Sequence, residues 1–354
     1  MTSPVDDKTK SRVLAARFED WTHKHRIKFS KKRGKVASII PYIGYGSTQW
    51  VRVLARILYL KPKTETDESQ RADVVQVSKV RGWKTFTSVA GPFVEVQVHI
   101  DGQHVGSAKS DRGGVVDAVI DVELTPGWHT VSLKIDDSAP SETPVFIVDP
   151  AATFGVISDV DDTILQTALP KPFVAAWNTF VVDEQARTAT PGMPVLLQNL
   201  IKEHPGTPIV YLSTGAWNAA PALSRFLARN LYPVGPLLLT DWGPTHDRFF
   251  RSGKEHKRAE LRRLISEFPN IRWVLIGDDG QKDEMLYHEF SVQHPEHVAA
   301  VAIRQISTGE AVLSGGRSKA RLHRSVSGVP WVYGPDGATL KVELTKLGVL
   351  KRKQ

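Results

Sequence analysis

Hydrophobic and polar positions change their period twice along the chain, and the two changes divide it into parts. Residues 11–29 repeat apolar positions at helical spacing, with Phe18 and Trp21 on one face and basic residues largely elsewhere. From residue 51 the apolar positions form short runs separated by turn residues, as in β-strands. From Thr153 strand-like and helix-like runs alternate, which is typical of a parallel sheet with helices on both faces.

The part from residue 51 to residue 150 is predicted to be a β-sandwich domain, because short strands recur regularly with turns such as Asp101-Gly102 between them. Since no group of residues in it suggests catalysis, we interpret it as a docking domain. Residues 71–83 fit a helix or a strand equally well. The predicted strands are Val51–Leu60, Phe93–Ile100, Val115–Val122, Trp128–Ile135 and Pro144–Val148.

The part from residue 151 to residue 310 is predicted to be an α/β domain with a parallel sheet, and residues 311–354 a C-terminal extension. Two helix starts carry capping signals: Asn218 as an N-cap, and Ser252 with Glu255 as a capping box. The predicted strands are Phe154–Ser158, Pro208–Ser213, Pro236–Thr240, Arg272–Gly277 and Val298–Ile306. The predicted helices are Pro194–Glu203, Asn218–Asn230, Ser252–Phe268, Gln281–Phe290 and Ala338–Leu347.

The first strand of the α/β domain ends in a cluster of acids, Asp159, Asp161 and Asp162. Open parallel sheets bind their ligands beyond the carboxyl ends of the strands. Clustered carboxylates repel one another unless a cation joins them, and carboxylate oxygens suit Mg²⁺. The alternative is an acidic turn after a strand, because Asp is a common turn residue.

Later strand ends carry polar residues in the same way. Ser213 and Thr214 follow the second strand, and Asp278 and Asp279 follow the fourth, with Asp283 about one turn further on. Acids and hydroxyls at neighbouring strand ends supply a nucleophile, a proton source and donors for phosphoryl oxygens. Three unrelated polar strand ends would need three coincidences, so the pattern favours phosphoryl transfer.

A cation for the same site is predicted on the helix that begins near Ser252. Lys257 lies four residues before Leu261, on the apolar face of that helix, whereas Lys254 is rotated away from it. Lys257 is therefore the better candidate for a lysine that points towards the acids.

These residues resemble the four motifs of the haloacid dehalogenase superfamily in its phosphatase branch, in order and in spacing. The resemblance covers residues 153–306 and implies a Rossmann-like parallel sheet of the haloacid dehalogenase type. An acid two residues after the first Asp argues against the dehalogenase branch and against transport ATPases. The matching motifs are Asp159-x-Asp161-x-Thr163, Ser213, Lys257 and Gly277-Asp278-x4-Asp283.

The resemblance implies a role for each motif residue. Asp159 would be the nucleophile that forms an aspartyl-phosphate, and Asp161 the general acid and then the general base. Ser213 would donate to a phosphoryl oxygen, and Lys257 would neutralise charge. The implied Mg²⁺ ligands are Asp159, the backbone carbonyl of Asp161, and Asp278, with Asp279 or Asp283 assisting. The motif gives no role to Asp162, which we interpret as structural.

Longer stretches are similar to a narrower family, the phosphatidate phosphatases named for an actin-patch-associated protein. This similarity implies Mg²⁺-dependent conversion of phosphatidate to diacylglycerol and phosphate. That family usually has Ser where this chain has Asp279. The alternatives are a phosphatase of the same mechanism on another soluble or macromolecular phosphomonoester, and a non-catalytic membrane-docking protein. The similar stretches are Ser158–Ile164, Tyr211–Asn218, His256-Lys257 and Ile276–Asp283.

The space available for a cap over the site is small. Between the first two motifs only residues 165–191 are spare, so a minimal cap is expected. An open site suits a phosphate carried on a large body, such as a membrane lipid, a protein or a nucleic-acid end. Packing or solvation is an equal alternative for side chains at the mouth. The candidate substrate-binding residues are Thr163, Thr214, Gly215, Trp217, Asn218 and His246.

Charge is concentrated at the start of the chain, where residues 1–35 contain eleven Lys or Arg and four Asp or Glu. Residues 1–50 are therefore predicted to form a basic, partly helical N-terminal arm. A basic amphipathic helix can lie on anionic lipid, although Phe18 and Trp21 could instead pack on the neighbouring domain. Nucleic-acid binding through residues 24–35 is a weak alternative, because nothing else in the chain suggests a stacking platform.

Three further features bear on the cellular compartment. The chain has no cysteine, and its start lacks the apolar segment of a secretory signal. No apolar run approaches the roughly 18 residues of a membrane span. We therefore expect a cytoplasmic protein, with peripheral attachment to the membrane through the basic arm left open.

Deletion of residues 1–35 is expected to weaken binding to anionic vesicles and to leave hydrolysis of a small soluble phosphoester intact, because the arm acts through surface charge. Vesicle co-sedimentation at low salt, beside a soluble-substrate assay, measures both properties. Unchanged vesicle binding would show that residues 1–35 do not bind the membrane and are instead a tail or a segment that packs between domains.

Overall fold

The computed structural model describes most of the chain. Several elements predicted from the sequence fall on residues that it does not describe. All but the last two residues of the helix predicted over 11–29 lie outside the described residues, as do residues 71–83, 167–187 and 308–324. No helix in the described part is long and apolar enough to cross a membrane. The described residues are 28–29, 32–61, 88–136, 138–166, 188–240, 246–280, 283–307 and 325–351.

The N-terminal part is an all-β unit whose eight strands form one hydrogen-bonded sheet. The strands are β1 Val36–Ser47, β2 Trp50–Leu60, β3 Val89–Ala90, β4 Glu95–Ile100, β5 Gln103–Lys109, β6 Val115–Asp121, β7 Gly127–Lys134 and β8 Ser141–Ile147. Their spatial order is β3-β2-β1-β8-β7-β4-β5, and β6 pairs with β2 beside β3. Neighbours are antiparallel except β1 and β8.

All five strands predicted in this unit are confirmed, as β2, β4, β6, β7 and β8. The sheet curls, since apolar residues of β2 such as Val53 and Ile57 share one core with Val96 and Val98 of β4, far away in the strand order. The N-terminal part is therefore an all-β unit built as one curled sheet. The two layers of a β-sandwich stay a prediction.

Strand β1 was not predicted, and its residues fall within the stretch predicted to be the N-terminal arm. The turn-like residues Pro41, Gly44 and Gly46 suggest a break, yet β1 pairs with β2 along its length. A Cβ at Gly44 would lie 2.4 Å from the carbonyl oxygen of Arg52, so here glycine serves close strand packing. The β unit therefore begins at Val36, and the arm predicted over residues 1–50 is wrong for residues 36–47.

The second part is an α/β unit around a seven-stranded sheet. Its strands are β9 Phe154–Asp159, β12 Ile209–Ala216, β13 Leu237–Thr240, β14 Arg272–Asp278, β15 Val298–Arg304, β16 Ser325–Val326 and β17 Val329–Gly334; the short pair β10 Leu165–Gln166 and β11 Thr188–Ala189 stands apart. Its helices are α1 Met193–Glu203, α2 Ala220–Arg229, α3 His246–Glu267, α4 Asp283–Gln293 and α5 Gly337–Lys346.

The strand order of this sheet is β13-β12-β9-β14-β15-β17-β16. Neighbouring strands are parallel from β13 to β17, and β16 is an antiparallel edge strand. All five predicted strands and all five predicted helices are confirmed, which establishes a mixed α/β unit with a parallel sheet. Its assignment to the haloacid dehalogenase type rests on the motif resemblance.

The structure corrects both predicted helix starts. A 3₁₀ helix, Trp217–Ala219, precedes α2, so Ala219 and not Asn218 is the N-cap. Helix α3 begins at His246, which puts Ser252 inside the helix and removes its predicted capping role. Local capping signals were misleading at both sites because the chain enters each helix earlier or through a tighter turn than the signal implies.

The C-terminal extension predicted over residues 311–354 contributes to the sheet. Strand β17 adds a sixth parallel strand beside β15, and α5 follows it with Asp336 as N-cap, whose side chain accepts a hydrogen bond from the Thr339 amide at 2.8 Å. Residues 325–351 are therefore part of the α/β unit. The two units also share a core, in which Ile40 and Leu54 of the β unit join the α/β residues.

Candidate active site

The central position of β9 gathers the predicted site residues. β9 lies between β12 and β14 and is parallel to both, with Asp159 beside Leu212 and Ser158 beside Ile276. The carboxyl ends of the three strands therefore meet at one edge of the sheet. Asp159 is 3 % exposed there, at the end of a mostly apolar strand whose residues from Gly155 onward are buried.

Helix α3 brings Lys257 to the same edge. Its Nζ lies 2.6 Å from Asp159 Oδ1 and 2.5 Å from Asp283 Oδ1, and the lysine is buried. Leu261 and Leu264, on the same helix face, are fully buried against the sheet. The inward direction predicted for Lys257 is therefore what the structure shows.

Three acids form a cluster that could hold a metal ion. One carboxylate oxygen from each of Asp159, Asp278 and Asp283 lies within 4.8 Å of the others. The second oxygen of Asp283, Oδ2, is buried without a hydrogen-bond partner among the described residues. Gly277 allows this approach, because a Cβ there would lie 2.9 Å from the Asp283 Cβ. The donor set suits a hard divalent cation such as Mg²⁺.

The electrostatics of this cluster also favour a further cation. Burial raises the pKa of Asp159 well above its ordinary value, and the Asp283 carboxylate raises it further, against the opposing effect of Lys257. Burial and Asp283 likewise raise the pKa of Asp278. Burial would lower the pKa of Lys257, but Asp159 and Asp283 outweigh it, so this pKa is raised. One lysine does not balance three buried carboxyl groups, and a bound divalent cation would relieve the excess.

Ser213 faces Asp161 across the site. Its hydroxyl donates to Asp161 Oδ2 at 3.0 Å and accepts from the Gly215 amide at 2.9 Å. The resemblance implied a hydrogen bond from Ser213 to a phosphoryl oxygen, whereas here its proton points to the carboxylate of Asp161. This contact fixes the orientation of the Asp161 side chain.

Thr163 was predicted to bind substrate and Asp279 to assist the metal, and the structure gives each of them a hydrogen-bond partner within the protein. Thr163 is fully buried and donates to Asp159 Oδ2 at 3.2 Å, so it helps to hold the Asp159 carboxylate. Asp279 Oδ1 accepts from the Ile306 amide at 2.8 Å. Asp279 is not among the three clustered acids, so Asp283 is the acid that completes the cluster with Asp278.

The other predicted substrate-binding residues occupy varied positions. Trp217 is buried and stacks on Tyr42 of β1, with ring centroids 4.9 Å apart, so it packs against the β unit. The carbonyls of Thr214 and Gly215 accept from the Thr240 hydroxyl at 2.9 and 3.1 Å. Asn218 is half-buried in the following 3₁₀ helix. His246 begins α3, and its side chain lies outside the described residues.

Sequence reasoning missed Arg304, which supports the acidic turn. Asp162 has a φ of 55°, a left-handed conformation that Asp tolerates better than most residues. Its carbonyl accepts a hydrogen bond from Arg304 Nη1 at 2.6 Å, and Arg304 is 2 % exposed. An Arg at the end of the apolar run Val298–Arg304 was the available signal. This geometry agrees with a structural role for Asp162.

Comparison with known proteins supports the resemblance. Residues 154–305 match the family described as "Phosphatidate phosphatase APP1, catalytic domain". Phosphatidate phosphatase APP1 of Saccharomyces cerevisiae is 28% identical over 167 residues, which cover 46% of this chain and 28% of that protein. An uncharacterized protein of Schizosaccharomyces pombe is 23% identical over 175 residues, 49% of this chain and 28% of that protein. The chain thus matches less than a third of each relative.

Among solved structures, a Parabacteroides merdae β-glucuronidase covers 77% of this chain and 34% of its own, with 12% identity and a TM-score of 0.22. A TM-score this low does not indicate a shared fold. The sequence matches show resemblance to the APP1 catalytic domain, and they support a phosphoric monoester hydrolase.

His256, the residue before Lys257, gives the stability of the protein a dependence on pH. Burial lowers its pKa from 6.5 to about 4. As the pH falls below 6.5, His256 binds a proton in the unfolded chain, whereas in the folded chain it binds that proton only near pH 4. This stability contribution is complete above the unfolded pKa and is lost as the pH falls towards the folded pKa.

Between about pH 7 and about pH 5 this effect should cost the wild-type protein about 2 kcal/mol of unfolding free energy. His256→Gln removes the titrating group. Between about pH 7 and about pH 5, the unfolding free energy of this variant should therefore fall by about 2 kcal/mol less than that of the wild-type protein. Urea denaturation at both pH values measures the difference. Equal losses in the two proteins would contradict the assignment.

Proposed function

We propose that the chain is a Mg²⁺-dependent phosphatidate phosphatase that hydrolyses phosphatidate to diacylglycerol and phosphate through an aspartyl-phosphate. The observation that carries the proposal is a buried Asp159 at a strand end, paired with Lys257 at 2.6 Å and faced by two further acids. The similarity of residues 154–305 to a phosphatidate phosphatase catalytic domain supports the same reaction.

In the first step Asp159 attacks phosphorus. A bond forms between its carboxylate oxygen and phosphorus, and the bond from phosphorus to the alcohol oxygen breaks. Asp161 donates a proton to the leaving alcohol. Its orientation is fixed by the Ser213 hydroxyl, which donates to its Oδ2 at 3.0 Å.

In the second step water hydrolyses the aspartyl-phosphate. Asp161, now ionised, takes a proton from the water, phosphate departs, and the Asp159 carboxylate is restored. Lys257 holds one oxygen of Asp159 and the Thr163 hydroxyl holds the other, at 2.6 and 3.2 Å. The nucleophile is therefore oriented by two contacts before the substrate arrives, and the lysine offsets negative charge throughout.

The proposed Mg²⁺ would be held by Asp159, Asp278 and Asp283, with the backbone carbonyl of Asp161 as a further oxygen ligand. The unpartnered Oδ2 of Asp283 and the oxygen-only donor set support this assignment. When bound, the ion would neutralise charge on the phosphoryl oxygens.

The named relative and the expected minimal cap support phosphatidate as the substrate. A lipid phosphate at an anionic membrane surface suits an open site and a basic N-terminal arm. A cytoplasmic location with peripheral membrane attachment is part of the same proposal. The second candidate is the same mechanism on a soluble or macromolecular phosphomonoester. Asp159, Asp161, Lys257 and the metal ligands would serve both substrates equally.

Phosphate release from phosphatidate vesicles with Mg²⁺ should fall by at least about a thousandfold in Asp159→Asn, because the amide cannot attack phosphorus. A panel of soluble phosphomonoesters is assayed beside the vesicles. Preference for a soluble ester would select the second candidate. Equal release by wild type and Asp159→Asn would exclude the nucleophile and the mechanism.

Removal of a metal-binding acid should weaken Mg²⁺ binding selectively. Asp283→Asn is expected to raise the Mg²⁺ dissociation constant by about tenfold or more, whereas the matched variant Asp279→Asn should change it less than about threefold. Titration calorimetry with Mg²⁺ alone measures both constants. A larger effect at Asp279 would move the metal site away from Asp283.

A further inference from the structure

Two faces of helix α3, about a quarter of a turn apart around its axis, make separate sets of contacts. One face packs on the parallel sheet and carries Lys257 with Leu261 and Leu264. The other carries four polar residues at spacings of four, three and four, which is the repeat of a single helix stripe. These residues are His256, Glu260, Arg263 and Glu267.

The polar stripe meets the β unit in an ionic network. Arg52 of β2 lies 2.5 Å from Asp117 on β6 and 2.5 Å from Glu267 on α3, and so joins the two units. Arg263 of α3 lies 2.9 Å from the other oxygen of Asp117 and also pairs with Glu260.

Strand β1 adds neutral contacts to the same interface. The Tyr45 hydroxyl donates to Glu267 Oε2 at 2.8 Å. Three residues earlier, Tyr42 stacks on Trp217 and donates to its carbonyl at 3.2 Å. Trp217 follows directly on β12, the strand that carries Ser213. The β unit therefore touches both the helix of Lys257 and the chain just beyond Ser213.

Arg52 and Glu267, which join the two units, are largely removed from water, whereas the Asp117 side chain is 33 % exposed. Arg52 is 11 % exposed and Glu267 13 % exposed. Charges in such surroundings tolerate little displacement, because removal of one partner leaves the other buried and unpaired. The network therefore fixes the rotation and the height of α3 against the β unit more firmly than surface ion pairs could.

We propose that Arg52 and Asp117 are positioning residues for Lys257, which hold α3 so that the Lys257 ammonium lies between Asp159 and Asp283. An α-helix is stiff over the roughly 15 Å between Lys257 and Glu267, so rotation at the interface moves the ammonium. A misplacement of about 1 Å can cost about a hundredfold in rate. The β unit is then part of the catalytic machinery as well as a docking domain. As a statement about rate, this inference rests on the proposed function.

The test compares Arg52→Met with Lys346→Met in the full chain. Lys346 forms an exposed ion pair with Glu343 on α5, remote from the network. For the soluble phosphoester that wild type hydrolyses best, Arg52→Met should lower kcat by about tenfold or more and leave KM within about twofold. Adding Glu267→Gln should lower kcat little further, because both changes break one network. Lys346→Met should match wild type.

Hydrogen exchange gives a readout that does not depend on activity. The backbone amides of residues 257–264 should exchange faster in Arg52→Met than in wild type and Lys346→Met, while amides of β14 keep their protection. Unchanged kcat and unchanged exchange would overturn the proposal. So would a loss of activity that follows only the folded fraction measured by thermal denaturation.

Two further outcomes are separable. If wild type hydrolyses none of the phosphoesters, the proposed function fails, and the exchange of residues 257–264 decides the positioning role alone. If Arg52→Met does not fold, Asp117→Asn takes its place, since it keeps the pair between Arg52 and Glu267. A folded Asp117→Asn with wild-type kcat and wild-type exchange would overturn the proposal.

Discussion

The structure depends on one buried cation among buried acids. Lys257 sits within 2.6 Å of Asp159 and Asp283, in a place that water scarcely reaches. Burial of these charges is unfavourable unless every partner keeps its place. The parallel sheet supplies the acids from the ends of adjacent strands, and α3 supplies the lysine. Negative charge still exceeds positive charge at this edge, and that excess suits a bound divalent cation.

The same constraint explains how the two units fit together. A lysine held between two carboxylates requires a helix whose rotation is fixed. The apolar face of α3 packs the helix on the sheet, but this contact comes from one side. Arg52, Asp117 and Glu267 supply contacts from a second direction. Tyr42 does the same for the turn after β12. The all-β unit thus lies against the elements that carry the site residues, although it contains none of the motif residues itself.

Much of the α/β unit was predictable because its strands are short apolar runs and its helices follow them at regular intervals. The acids at successive strand ends were also readable, since parallel strands place their carboxyl ends together. Strand β1 escaped prediction because its Pro and Gly residues mimic a break. Arg304 escaped because a single Arg at the end of an apolar run is too weak a signal to assign it a role. The capping signals at Asn218 and Ser252 misled because helix entry is settled by packing and not by local preference.

The sequence by itself determined the order of the elements, the motif acids and the inward direction of Lys257, since each follows from local period and spacing. Only the tertiary structure decided that Asp283 completes the three-acid cluster, that Asp279 accepts from a backbone amide, and that Thr163 donates to Asp159. These choices depend on distances between residues far apart in the chain. The register of neighbouring strands and the packing of α3 against two units set those distances, and neither leaves a local signal.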